Sequence, residues 1–206
     1  MSILAAIFYL ASTGIPICGQ VGDRNAHIQW SEASIATAPN HSAQVEVHPV
    51  PNSDENASPV LLRSCADGRA HQLFTLERSA DIYWDPASVD LLLINQRNAD
   101  KYNISLFVAN QKNGDMVEKS LDEVVMRRLP KADGLDRNVV FYLPRFVSWI
   151  GTELVVSVGG ATVAPGGGPM SSYCYGVMID TQSLQASVIP GDELKRGYGA
   201  QCQLAP

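Results

Sequence analysis

One pattern occurs twice in this chain: a tryptophan, a short polar turn, an apolar run, an insertion, and a second apolar run. The first copy runs from Trp84 through Leu91, Leu92, Leu93 and Ile94 to Ile104, Leu106, Phe107 and Val108. The second runs from Trp149 through Leu154, Val155, Val156 and Val158 to Val177, Met178 and Ile179. Apolar runs this short, flanked by turn formers, read as buried strands rather than helices. Two such units restrict the chain to repeated β-sheet modules. They name no reaction.

The string from Ala80 to Val108 resembles one blade of the exported PD40-like and WD40-like β-propeller repeats, in which a tryptophan, a Ser-Pro-Asp-type turn and an apolar strand recur. Here the turn reads Trp84, Asp85, Pro86, Ala87, Ser88, while Trp149 is followed by Ile150, Gly151, Thr152 and Glu153 with no proline. The resemblance extends over roughly half the chain and implies blade-like antiparallel sheets. A closed propeller takes about 4–8 blades of roughly 40–45 residues, and the two blade-like units seen here are too few to close one. The expectation is therefore a mainly β domain over 20–206, with blade-like units near 60–118 and 139–190 packed as a sandwich or a partial propeller.

Other segments refine this. Between Val21 and Pro59 the chain is polar and punctuated by prolines, and alternation over Gln44, Val45, Glu46, Val47 and His48 predicts one half-exposed edge strand. Asp67-Gly68 predicts a hairpin between the apolar runs on either side. Near 121–129, Asp122 and Glu123 precede Arg127 and Arg128, and Pro130 follows. That order suits a helix dipole and predicts one short helix capped by Ser120.

Export is expected from the N-terminus. Residues 1–20 carry no charged side chain, and Ile3 to Leu10 is an apolar run too short to span a bilayer, so residues 1–19 read as a signal peptide. Cleavage after Gly14 sets Ser12 and Gly14 at the positions that need small side chains; cleavage after Gly19 sets Ile17 and Gly19 there. A periplasmic or secreted location makes disulfides expected among Cys18, Cys65, Cys174 and Cys202. Cys174 to Cys202 is the favoured bridge, because the tail after Asp192 has little apolar surface with which to dock itself. The pairing of Cys18 and Cys65 stays open, as does the reading of Cys65 and Cys174 as buried free thiols.

The sequence offers little for catalysis. No Gly-x-Ser-x-Gly elbow occurs, and Ser171 and Ser172 have no partner in sequence. His27, His41, His48 and His71 match no zinc spacing, and Asp133 and Asp136 form an incomplete calcium series, so no metal and no cofactor is expected. Pro165-Gly166-Gly167-Gly168-Pro169 lacks the Lys-Ser or Lys-Thr of a phosphate cradle and reads as a hairpin loop. Three Asn-x-Ser triplets, at Asn40, Asn56 and Asn103, are glycan acceptors only in a eukaryotic secretory pathway. Net charge of −6 argues against nucleic acid and anionic membranes, and no membrane insertion is expected after signal cleavage.

The glycine loop, flanked by Tyr173 and Tyr175, has the composition of a recognition surface. The expected function is an exported, non-catalytic protein that binds another protein, of the periplasmic inhibitor or immunity type. Its expected contacts are Tyr173, Tyr175, Gly166, Gly167 and Gly168. Alternatives are a hydrolase whose site combines His71 or His48 with Asp81 or Asp85, and a propeller fragment that oligomerises as a scaffold.

Overall fold

The computed structural model describes residues 18, 25–49, 57–86, 90–97, 102–109, 116–128, 138–164, 166–200 and 202. They form thirteen strands and two helices arranged as three antiparallel sheets. The first sheet is a meander of β2 (Ser34–Thr37), β3 (Ala43–Val47), β4 (Ser58–Ser64) and β5 (Ala70–Leu76). The second runs β1 (Asn25–Gln29), β6 (Ser79–Trp84), β7 (Asp90–Gln96), β8 (Tyr102–Ala109) and β9 (Met116–Ser120). The third runs β10 (Asn138–Ile150), β11 (Glu153–Val163), β12 (Ser171–Asp180) and β13 (Ala186–Pro190). A short helix, α1 (Asp122–Met126), follows β9, and α2 (Gly191–Tyr198) follows β13.

The second sheet lies between the other two and is buried on both faces. Strand β7 shows why its sequence is apolar without a break: Leu91 and Leu93 enter the core shared with the first sheet, Leu92 and Ile94 the core shared with the third. Side chains alternate across a strand, so only a strand covered on both sides needs every position apolar. β11 repeats the device, sending Leu154, Val156 and Val158 toward the second sheet and Val155 toward α2. Each fully buried aliphatic side chain stabilises by about 1.5–3 kcal/mol, which makes these two strands the hydrophobic centre of their layers.

The twofold pattern survives in three dimensions. Trp84 ends β6 opposite Leu91, and Trp149 lies near the end of β10 opposite Leu154. Trp84 packs toward the first sheet and Trp149 toward the second, so each tryptophan contacts the layer that precedes its own in sequence. Each meander is then closed by a helix, α1 against β8 and α2 against β12. The mainly β architecture, the face-to-face sheets and the short helix agree with expectation. The structure adds a third sheet, since β2 to β5 form a layer of their own.

Three local differences have physical causes. β3 is an interior strand, paired on both sides, because Gln44 and Glu46 are buried with partners: Gln44 Nε2 donates to Thr37 Oγ1 at 3.1 Å and Arg63 grips Glu46. Ser120 is the last residue of β9, and the N-cap of α1 is Leu121, an apolar residue with no side-chain cap, while Asp122 in the first turn accepts from Ile104 N on β8. The tail after Pro190 forms α2, with Asp192 and Glu193 in its first turn, Lys195 and Arg196 in its last, and Gly199 closing it in the left-handed conformation at φ 63°. The Asp67-Gly68 turn is present, with Gly68 at φ 72°.

Both disulfides join described residues. Cys174 on β12 bridges Cys202, with Cα atoms 5.5 Å apart, and holds the segment after α2 against the third sheet. Cys18 bridges Cys65 at the end of β4, with Cα atoms 5.1 Å apart. Two such bridges belong to an oxidising, exported environment. Among the described residues no helix is long and apolar enough to cross a membrane.

Candidate functional site

Two adjacent depressions open along one end of the interface between the second and third sheets, and Tyr102 at the start of β8 lines both. The first, about 200 Å³, is polar and lies toward the β1 and β6 edge. Its walls include His27, Ser79, Asp81, Gln96 and Arg145. His27 and Asp81 are register partners on β1 and β6, and His27 Nδ1 lies 2.7 Å from Asp81 Oδ1. Ser79 Oγ donates to Gln96 Oε1 at 3.1 Å, across β6 and β7. The hydroxyl is thus directed along the sheet toward an amide oxygen, which is not the bond an activated nucleophile makes with its base.

The second depression is a groove of about 320 Å³ lined by Tyr102, Asn103, Asp122, Met126, Val139, Val140 and Tyr142. Its floor is built by a substitution in the β8 ladder. Leu121 N donates to Ile104 O at 2.9 Å, but the reciprocal Ile104 N–H is taken by the Asp122 carboxylate, also at 2.9 Å. Asn103 Nδ2 donates to the other Asp122 oxygen at 2.7 Å. Burial raises the Asp122 carboxyl above its ordinary range, and these two hydrogen bonds pull in the opposite direction. Facing it, Tyr142 is buried, its hydroxyl has no hydrogen-bond partner among the described residues, and burial followed by the nearby Asp122 charge pushes its ionisation well above the ordinary phenol value.

The outer lip of the groove is a β-bulge. Between Val139 and Phe141 the register with β11 shifts by one residue, leaving Val140 43% exposed on the lip. Such bulges re-aim side chains at sheet edges, and β10 is an edge strand that also carries Pro144. Proline and bulges blunt this edge against strand addition.

The expected contact residues divide. Tyr173 faces the second sheet with Tyr175, Val177 and Ile179, and only 8% of its surface is accessible. Its Oη donates to Phe141 O at 2.7 Å, beside the bulge. Tyr173, expected from the sequence as a partner contact, is here a core residue that props the groove wall. Tyr175 is half-buried, with its ring 6.2 Å from that of Tyr173. Gly166, Gly167 and Gly168 are exposed, with φ of 88°, 92° and 141°, in the hairpin loop joining β11 to β12. Because Asn138 pairs with Val163, this loop projects from the groove end of the third sheet.

The histidine and carboxylate pairs expected for a hydrolase are not brought together. His48 Nε2 lies 2.8 Å from Glu46 Oε2 on the first sheet, and His71 is exposed on β5. Asp81 pairs with His27, a combination that only the β1 to β6 register reveals. Asp85 is buried at the end of β6, where its charge, after burial itself, helps raise the Asp90 carboxyl. Asp133 and Asp136 lie outside the described residues, as do Asn56 and most of residues 1–24. Asn40 is exposed at a turn, whereas the Asn103 amide is engaged by Asp122. Among the described residues no cluster of three potential metal ligands occurs.

Comparison with protein-family models finds no match, and no curated protein matches this chain.

Proposed function

We propose that this is an exported protein without chemistry of its own, which captures another protein and acts as a periplasmic inhibitor or immunity-type protein. The observation that carries the reading is the groove between Tyr102 and Tyr142. It combines aromatic, Met and aliphatic walls with one half-buried carboxylate and a phenol that has no hydrogen-bond partner among the described residues. Protein hot spots have this composition, an apolar pocket around one or two polar groups. A carboxylate at the floor and a net charge of −6 favour a basic partner, whose lysine or arginine stem fills the apolar walls while its charged end meets Asp122. The exposed Gly166 to Gly168 loop extends the same face and offers backbone contacts.

Val140→Glu and Met126→Glu place a carboxylate in the apolar wall. With the exported fraction of the native host as the source, wild-type bait retains a basic exported protein, and either variant loses at least about tenfold in affinity, the scale of a hot-spot residue. Equal retention by wild type and both variants contradicts the assignment.

The polar cleft favours a second reading, a hydrolase assembled from distant residues, because it sets His27 against Asp81 with Arg145 in the same wall. His27→Ala separates the two: it abolishes turnover in a substrate screen under the second reading and leaves partner capture intact under the first.

A further inference from the structure

We propose that processing of the exported chain hydrolyses the Gly14–Ile15 peptide bond, so that the mature protein keeps Cys18 as half of a structural bridge. This rests on the export reading above and deepens it, because the sequence alone leaves two cleavage points open and the disulfide decides between them.

The bridge from Cys18 reaches Cys65, a 4% exposed residue at the end of β4 whose N–H donates to Ser42 O at 2.9 Å. Cys18 is itself half-buried. The link thus ties the chain just ahead of β1, the strand that edges the second sheet, to the framework of the first sheet. A cut after Gly19 removes Cys18 with the leader and leaves the buried Cys65 sulfur without its partner. A cut after Gly14 leaves Ile15, Pro16 and Ile17 ahead of Cys18 and preserves the link. Side-chain size points the same way, since Ser12 and Gly14 are both small, whereas the later cut places branched Ile17 where a small residue belongs.

The same bridge argues against lipid attachment at Cys18. A thioether to a diacylglyceryl group consumes the thiol that the disulfide requires, and lipoprotein processing makes the modified cysteine the first residue. The two fates exclude each other.

The chemistry balances. Water adds across the Gly14–Ile15 amide, giving a carboxylate on the released peptide and an amine on Ile15. Cys18 and Cys65 then lose two electrons and two protons by thiol–disulfide exchange with an oxidised dithiol of the export compartment, which is reduced in turn.

The test is expression of the complete chain in a secreting Gram-negative host, followed by N-terminal sequencing, intact mass and a non-reducing peptide map of the exported protein. The expected result is an N-terminus at Ile15 and a peptide containing Cys18 linked to Cys65. An N-terminus at Gln20 with an alkylatable Cys65, or a lipid-bearing Cys18, overturns the proposal while export stands. An unprocessed chain retained in the cytosol overturns the export reading and this proposal with it. Two leader variants sharpen the result: Gly14→Trp slows conversion of precursor more than tenfold, and Gly19→Trp leaves its site unchanged. The opposite pattern places the cut after Gly19. Gly14 is absent from the mature protein, so a folding defect does not explain a block at that position.

Discussion

At the scale of single residues, the groove wall depends on a glycine. Gly160 lies opposite Tyr142 on one side and Tyr173 on the other, and a Cβ there meets Phe141 O at 2.1 Å and Tyr173 Oη at 2.6 Å. The first contact is with backbone, which has no rotamer to escape into. Gly160→Ala is expected to destabilise by about 2–3 kcal/mol, the cost of overpacking a dense core, and chemical denaturation measures it. Tyr173→Phe keeps the ring and removes only the donor to Phe141 O, for an expected loss of about 1 kcal/mol. A larger loss for the phenylalanine variant than for the alanine variant would reverse this account of the wall.

Charge at the residue scale gives two pH dependences of opposite sign. Arg63 grips Glu46 through two hydrogen bonds, of 2.6 and 3.1 Å, and holds its carboxyl below the ordinary value against the effect of burial, with help from His48. Its stabilisation is present above the unfolded carboxyl's pKa and fades as pH falls through the lower folded one. Glu46→Gln should therefore cost about 2 kcal/mol near neutrality, and the gap to wild type should close in acid. Asp90 runs the other way: burial first, then the Asp85 charge, raise its carboxyl. Folding favours its protonated form, so stability declines as pH rises from the unfolded pKa through the folded one. Asp90→Asn should stabilise at neutral pH, with the advantage vanishing below the ordinary carboxylate range. Melting temperatures at several pH values test both.

Among the elements, those buried on both faces are the ones the sequence shows. The run Leu91 to Ile94 and the run Leu154 to Val158 are unbroken because both faces of β7 and β11 are covered. The Asp67-Gly68 turn shows as well, since Gly68 needs a positive φ. Elements whose stability comes from specific partners are harder to read. β3 looks half-exposed because Gln44 and Glu46 are polar, and only their partners on β2 and β4 make them buried. The site divides similarly. Period-two alternation places Tyr173 and Tyr175 with Val177 and Ile179, so the burial of Tyr173 was legible. The Asp122 contact to Ile104 joins residues 18 apart through a missing ladder bond, and no local pattern announces it. The pair of His27 with Asp81 depends on a register spanning 54 residues.

Helix α2 belongs to this scale too. Its acidic start, basic end and closing glycine are standard helix signals, masked by Pro190-Gly191. It is eight residues long with Leu194 as its buried contact, too short to persist alone. Gly176 makes room for it, since a Cβ there comes within 2.8 Å of Leu194 Cδ1. The Cys174–Cys202 bridge closes a 28-residue separation and is expected to stabilise by about 3–4 kcal/mol. Replacing both cysteines by serine should lower stability on that scale and release the α2 amides to hydrogen exchange ahead of β11. Simultaneous exchange of both would show that the bridge does not hold the helix.

For the whole molecule, three layers enclose two cores, and the outer face of the third sheet is covered by α2 and the C-terminal bridge. A cover of that kind resembles the caps that end repeat stacks, and it favours a single chain over a ring of copies. Sedimentation should therefore give a species no larger than a single chain of 22.2 kDa. The proposed partner capture is assigned to the open end of the inner layer boundary, where the groove and the glycine loop share one face. A photo-crosslinking residue placed at Val140, with Ile150 at the far end of β10 as control, tests this most directly in the exported fraction of the native host. The account predicts one basic exported protein joined through position 140 and none through position 150. No crosslink at 140, or equal labelling from both ends, would contradict it.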